Sequence, residues 1–282
     1  FQVLLDPGDQ VIIPDPMWTE ISDNIIFAGC TPVRVPLKFE NDYEYDLKDV
    51  EAAITAKTKA IFINSPHNPT GAILSTETED GLLNLATKYN IRIVSDAAYE
   101  EIVFEGEPFS GHSSYNPKHI EIYSFSKTHA MPGLRLGYAV IKDKSLHENM
   151  NKIMRCCVNG INSVTQWAGI TAMYDFLYPE RMMEGYRVRR DWMVSLLREI
   201  DGLKVFKPGG AFYVWCEIEP CLYERMDVKN ADELSQLLAS KGIGAIPGSA
   251  FGESCHDALR FSFACDTQMV RDGCNKLVEI LG

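Results

Sequence analysis

The sequence predicts an α/β fold in which a mostly parallel sheet is flanked by helices, with a smaller α+β domain at the C-terminal end. Three observations predict it. Short apolar runs such as Val11-Ile12-Ile13 and Ala60-Ile61-Phe62-Ile63 alternate with stretches of helical spacing. Those runs end in polar or turn-forming residues. From Lys144 the pattern becomes mainly helical, and strand-like segments return near Phe212 and Arg260.

In chain order, Gln10-Val11-Ile12-Ile13-Pro14 reads as a buried strand after an Asp6-Pro7-Gly8 turn, and Thr19 to Ala28 as a helix closed by Gly29. A strand follows near Val33 to Val35. Asp46 supplies a capping-type acid ahead of the next helix, and Ala60 to Asn64 is an apolar strand that ends in a turn. Ser75 to Tyr89 has helical spacing, and Ile91 to Asp96 is the strand behind it. Ile120 to Ser124 and Leu136 to Ile141 are further strands. The helical stretch from Lys144 to about Ile200 breaks near Gly160 and Pro179. Beyond it, Pro208-Gly209-Gly210 leads into Ala211 to Trp215, followed by a helix from Ala231 and a last helix after Asp266. We place a domain boundary within the long helical stretch, giving a large domain over 1–177 and a small one over 178–282.

Of the 282 residues, 46% are hydrophobic, enough for a large core. The net charge of −12 argues against nucleic acid as a partner. No apolar run approaches the ~20 residues of a membrane span, so no membrane is expected. The eight cysteines form no Cys-x-x-Cys pair and no zinc-like spacing with histidine, so no metal is expected and they read as reduced thiols in the cytoplasm.

Lys127 stands in Ser124-Phe125-Ser126-Lys127, eight residues before Arg135. A lysine amine can form a Schiff base with an aldehyde cofactor, and a nearby guanidinium can hold a phosphate. Asp96 falls at the end of an apolar strand, where a carboxylate in a crevice needs a cationic partner, although it equally suits a cap of the following turn. Tyr99 is three residues on, able to reach the same ligand or simply to pack in the core. Asn64 to Gly71 forms a dense turn whose prolines could hold the Asn68 amide toward a ligand. Arg260 lies on a strand-like alternation, suited to bidentate capture of a carboxylate or to a solvated surface position. Trp18 is open between stacking on a ring and core packing. His67 and His129 have no recognisable partner in the sequence and read as structural or rim residues.

Taken in order, Asn68-Pro69-Thr70-Gly71, Asp96-x-x-Tyr99, Ser124-Phe125-Ser126-Lys127 with Arg135, and Arg260 resemble the class I/II aminotransferases. These are the fold-type I enzymes that use pyridoxal 5′-phosphate, and the resemblance is to their aspartate-aminotransferase-like branch. It implies that Lys127 is the Schiff-base and proton-shuttling lysine. It implies that Asp96 keeps the cofactor's pyridine nitrogen protonated and that Tyr99 and Asn68 hydrogen-bond its phenolic oxygen. Ser124 and Arg135 would hold the phosphate, Trp18 would stack on the ring, and Arg260, beside Asn68, would bind the substrate α-carboxylate. Asn68-Pro69 matches a position that is often a cis peptide in the family. A homodimer with shared sites is implied as well.

The resemblance further leads us to expect sequence ahead of Phe1, including a glycine-rich turn that supplies backbone amides to the phosphate. The chain is on this reading N-terminally incomplete, and weak cofactor binding and slow turnover are expected of it. The reaction expected is amino transfer between an L-amino acid and a 2-oxo acid such as 2-oxoglutarate. A carbon–sulfur β-lyase needs the same Lys127, Asp96 and Arg260 and stays open at this stage. So does a non-catalytic sensor module, which the acidic composition and the lack of a basic helix-turn-helix disfavour.

Overall fold

Alternation within single strands sets the layers. In β1 (Gln10–Asp15), Val11 and Ile13 enter one apolar layer and Ile12 the other. In β3 (Thr58–Asn64), Ala60 and Phe62 join Val11 and Ile13, while Ile61 and Ile63 join Ile12. A sheet apolar on both faces must be covered on both. In the computed structural model, which describes residues 1–106, 116 and 118–282, helices do so. Ile25 of α1 (Glu20–Phe27) and Leu146 of α5 (Lys144–Cys157) close one layer. Val50 of α2 (Leu47–Ala53) and Leu82 and Ala86 of α3 (Thr76–Tyr89) close the other. Fully burying each large aliphatic side chain contributes about 1.5–3 kcal/mol.

The main sheet has six strands in the order β2-β1-β3-β4-β5-β6, with β2 at Thr31–Pro36, β4 at Arg92–Asp96, β5 at His119–Ser124 and β6 at Gly137–Ile141. The pairings from β2 to β5 are parallel, as expected, and β6 is antiparallel to β5. The link between those last two strands holds only the one-turn helix α4 (Phe125–Thr128) and a turn at Pro132, so the chain reverses instead of crossing over. Caps follow the sequence reading. Asp46 accepts the backbone N–H of Lys48, Ser75 accepts that of Thr78, and Asn90 closes α3 in the left-handed region at φ 57°.

Beyond α6 (Ser163–Met173) and α7 (Leu177–Leu197), four strands form an antiparallel sheet in the order β7-β8-β10-β9. They span Leu203–Phe206 (β7), Tyr213–Ile218 (β8), Ile246–Pro247 (β9) and Ala258–Ser262 (β10). The helices α9 (Ala231–Ser240) and α10 (Thr267–Leu281) appear where expected, whereas β7, β9 and α8 (Pro220–Met226) were too short to show a period. The expected break near Pro179 falls instead just ahead of Leu177, and Pro179 sits inside the first turn of α7. A first-turn residue has no intrahelical N–H bond for proline to lose. Among the described residues, no helix is long and apolar enough to cross a membrane, and no group of His, Cys, Asp and Glu could hold a metal ion.

The second sheet docks on the loop that follows β3. Gly210 N–H donates to Gly71 carbonyl at 2.9 Å, and Phe104 N–H donates to Gly209 carbonyl at 2.7 Å. Gly71 has φ +77°, and a Cβ there would sit 2.3 Å from Cβ of Pro208. Glycine is therefore required by both backbone and space. Gly71→Ala is expected to destabilise the protein by roughly 2–4 kcal/mol, read as a lower denaturation midpoint.

Candidate active site

Parallel β3 and β4 end side by side, with Asn64 in register with Asp96. Both strands have apolar centres, Ala60 to Ile63 and Ile93-Val94, and their closing polar residues Asn64 and Asp96 emerge together at the carboxyl edge of the sheet, where ligands of such folds bind. The Asn64 side chain joins the two ends. Its Nδ2 donates to the Asp96 carbonyl at 2.9 Å, and its Oδ1 accepts the Asn68 N–H at 2.8 Å. The peptide bonds before Pro16, Pro66 and Pro69 are cis, which includes the expected Asn68-Pro69 bond.

A cavity of about 190 Å³ opens beyond these strand ends. Its walls include Trp18, Asn68, Asp96, Tyr99, Lys127 and Arg260, six residues singled out from the sequence. They come from the ends of β1, β3 and β4, the turn after β4, the helix α4 and the strand β10. Asn64, Ala98 and Tyr213 complete the wall and were not anticipated. Asn64 had a signal, a polar residue closing an apolar strand. Tyr213 had none, since it sits in a run of aromatic and aliphatic residues that reads as core.

Arg260 Nη1 donates to Asn68 Oδ1 at 2.9 Å. The guanidinium carbon lies 4.2 Å from the centre of the Tyr213 ring and 4.7 Å from that of Phe251, so two rings fix its plane. Its Nε is buried and has no hydrogen-bond partner among the described residues. An unmet buried donor of this kind favours a bound acceptor. The Lys127 amine lies 5.7 Å from the centre of the Tyr99 ring and 5.6 Å from that of Phe212.

Burial pushes the Asp96 carboxyl up to about 6, against the Ala98 N–H and the Lys127 charge, which favour the ionised form. The capping reading of Asp96 holds, because its Oδ1 accepts Ala98 N–H at 3.0 Å. Burial lowers the affinity of Lys127 for its proton, and the Arg260 and Arg135 charges add to that against the pull of Asp96. Burial, then the neighbouring Tyr213, raises the Tyr99 phenol well above its ordinary value, so it keeps its proton. His67, as expected, is structural. It is buried with Nδ1 2.7 Å from Thr70 Oγ1, and burial lowers its imidazole to about 4.

Ser124 and Arg135 stand outside the walls of this cavity. Ser124 caps α4 by accepting Ser126 N–H at 3.2 Å and faces a neighbouring cavity of about 200 Å³. Arg135 is exposed at φ 52° and donates to the Pro132 carbonyl at 2.9 Å. A cleft of about 700 Å³ between Tyr43, Glu217 and Cys255 holds none of the predicted residues, so volume alone does not mark the site.

Residues 1–277 match the family model described as aminotransferase class I and II. The chain belongs to this family. An aspartate aminotransferase of Sulfolobus acidocaldarius is 33% identical, the match covering 100% of this chain and 71% of the relative. An aspartate/prephenate aminotransferase of Thermus thermophilus is likewise 33% identical over 100% of this chain and 72% of its own length. Among solved structures, the Thermus thermophilus aspartate aminotransferase with maleate has a TM-score of 0.90 at 30% identity, covering 99% of this chain and 72% of that one. An aromatic aminotransferase from Pyrococcus horikoshii has a TM-score of 0.91 at 28% identity, covering 99% and 75%. The protein is therefore a transaminase of fold type I that uses pyridoxal 5′-phosphate and acts on amino and oxo acids.

The cavity fits that cofactor. A desolvated carboxylate at Asp96 suits a cationic ring nitrogen, Lys127 supplies an amine, and the Arg260 guanidinium lines the same space. Because the folded state raises the Asp96 value, protonated Asp96 stabilises the fold at low pH. That contribution is complete below about 4, the unfolded value, and is lost as pH rises through about 6. Melting temperatures of the cofactor-free protein across this range should show the loss, and Asp96→Asn should remove it.

Proposed function

We propose that amino transfer runs in the cavity of about 190 Å³ where Lys127, Asp96, Tyr99, Asn68 and Arg260 converge. That convergence, from separate elements of both sheets, is the observation that carries the reading. When bound, pyridoxal 5′-phosphate supplies an aldehyde that takes the amino group and a ring that draws electrons from the substrate α-carbon. Lys127 would bind that aldehyde through its amine and, once released, carry the proton at the substrate α-carbon. Its lowered proton affinity supports both tasks. Asp96 would hold a proton on the ring nitrogen through its carboxylate, and Tyr99 and Asn68 would donate to the phenolic oxygen. Trp18 would cover the ring, and Ser124 and Arg135 would bind the phosphate from beyond the cavity wall. Arg260 would orient the substrate α-carboxylate with the fork that Asn68 leaves free.

The donor we propose is an L-amino acid such as aspartate, with 2-oxoglutarate as acceptor, in line with the names of the related enzymes. Residues 1–177 would form the cofactor-binding domain and 178–282 the small domain, in keeping with the main sheet ending at β6 and the second beginning at β7. The cytoplasm is the proposed compartment. A homodimer is the proposed assembly, and exposed apolar residues around α6 support it. Val164 and Trp167 are 75% and 70% exposed, and Tyr174 and Phe176 80% and 75%. Large exposed apolar residues clustered in this stretch of sequence favour burial by a partner.

Incubation with aspartate and 2-oxoglutarate should form glutamate, and Lys127→Ala should cut the rate by at least about 10³-fold. Keto-acid release that needs no 2-oxo acceptor would overturn amino transfer here. Sedimentation analysis should find a dimer, and Trp167→Glu should shift it toward monomer, whereas a wild-type monomer at all accessible concentrations would exclude the assembly.

A further inference from the structure

Tyr213, in β8, links two parts of the cavity. Its hydroxyl lies 2.9 Å from the Tyr99 hydroxyl, and its ring lies 4.2 Å under the Arg260 guanidinium carbon. Both tyrosines are more than nine-tenths buried, and their rings meet nearly at right angles, 74° apart with centres 5.9 Å apart. Tyr99 belongs to the turn after β4 of the main sheet, and Tyr213 to the first residue of β8 in the second. The two hydroxyls therefore meet across the junction of the sheets.

Two buried phenols at this distance share one hydrogen bond, in which one donates and the other accepts. If Tyr99 donates to Tyr213, its only proton points away from the cofactor side. If Tyr213 donates to Tyr99, the Tyr99 proton is left for an acceptor in the cavity. Tyr99 is also made a stronger donor, because each bond in a chain polarises the next. A cofactor oxygen with partial negative charge selects the second arrangement, since it is the only one that satisfies both donors. The ring of Tyr213 serves separately, as a flat surface that holds the guanidinium in the plane where its Nε remains unpaired.

We propose that Tyr213 is a positioning residue with two separable roles: its hydroxyl aims and strengthens the Tyr99 proton toward the cofactor, and its ring orients Arg260 for the substrate carboxylate. This rests on the roles proposed above for Tyr99, Lys127 and Arg260.

The two roles separate by mutation. Tyr213→Phe removes the hydroxyl and keeps the ring, and Tyr213→Leu removes both. The first readout is absorbance of the holoenzyme during pH titration, which follows the proton on the lysine–cofactor imine. A donor to the cofactor oxygen withdraws the charge that holds that proton, so weakening the donor lets the imine keep its proton to higher pH. Tyr213→Phe is expected to move the titration midpoint to higher pH and lower kcat roughly three- to tenfold, with the KM for aspartate changed less than about twofold. Tyr213→Leu is expected to show the same spectral shift and to raise the KM for aspartate by about tenfold or more. An unshifted midpoint in Tyr213→Phe would overturn the hydroxyl role, and an equal KM in the two variants would overturn the ring role. A wild-type protein that forms no imine absorbance with added cofactor would instead overturn the underlying reading of Lys127.

Discussion

The two hydrogen bonds of the Asn64 side chain hold the site in register. Where parallel strands end, the last carbonyl and the loop N–H groups have lost their ladder partners, and here they are partly or fully buried. One primary amide offers a donor and an acceptor a fixed distance apart, so it meets the Asp96 carbonyl and the Asn68 N–H together. Leaving either group unmet in this buried position would cost about 1–3 kcal/mol. An aspartate at this position could accept from Asn68 but would set charge against a carbonyl, and an aliphatic residue would serve neither. The backbones that carry the Asp96 carboxylate and the Asn68 amide are thus tied together by one side chain.

The same logic extends to the second sheet, whose cation depends on docking. Asp15, at the end of β1, accepts the N–H groups of Glu253 and Ser254 at 3.1 and 3.2 Å. Gly252 admits this approach, because a Cβ there would sit 1.5 Å from Asp15 Oδ1. Met17 N–H donates to the Phe251 carbonyl at 2.8 Å, which brings the Phe251 ring against Arg260. With the Gly71–Gly210 contact, three backbone-level attachments set where Arg260 stands relative to Asn68. A mutation at Gly71 or Gly252 acts on the substrate side without touching it.

What the sequence made legible follows from how local each signal is. The strands ending at Asn64 and Asp96 have apolar centres closed by a polar residue, and the one ending at Ser124 alternates around Ile120 and Ile122, so both their existence and their ends could be read. The convergence of Lys127, Asp96, Tyr99, Asn68, Trp18 and Arg260 on one cavity was legible only through the order of the motifs, since residues 18 and 260 have no local reason to meet. Strands of two to four residues, β7 and β9, carry too few side chains for a period to show. Tyr213 was invisible for another reason: an aromatic residue in a buried strand reads as packing, and its hydroxyl partner lies 114 residues away in sequence. Arg135 shows the reverse case, a motif residue whose side chain binds its own turn at Pro132 and stays out of the cavity wall.

Charge within the cavity runs against charge over the whole molecule. The chain carries −12 overall, so its long-range field repels an anionic amino or oxo acid. At physiological salt that field fades within about 8 Å, whereas buried groups interact with little screening. Inside, Lys127 and Arg260 face one carboxylate, Asp96, and burial disfavours charge on all three. Arg260 is the larger of the two charges that lower the proton affinity of Lys127. On the role proposed for Arg260, a substrate carboxylate held there would cancel that repulsion. Lys127 would then become a better proton acceptor just where the proposed reaction needs one, while in the free cavity its proton affinity stays lowered.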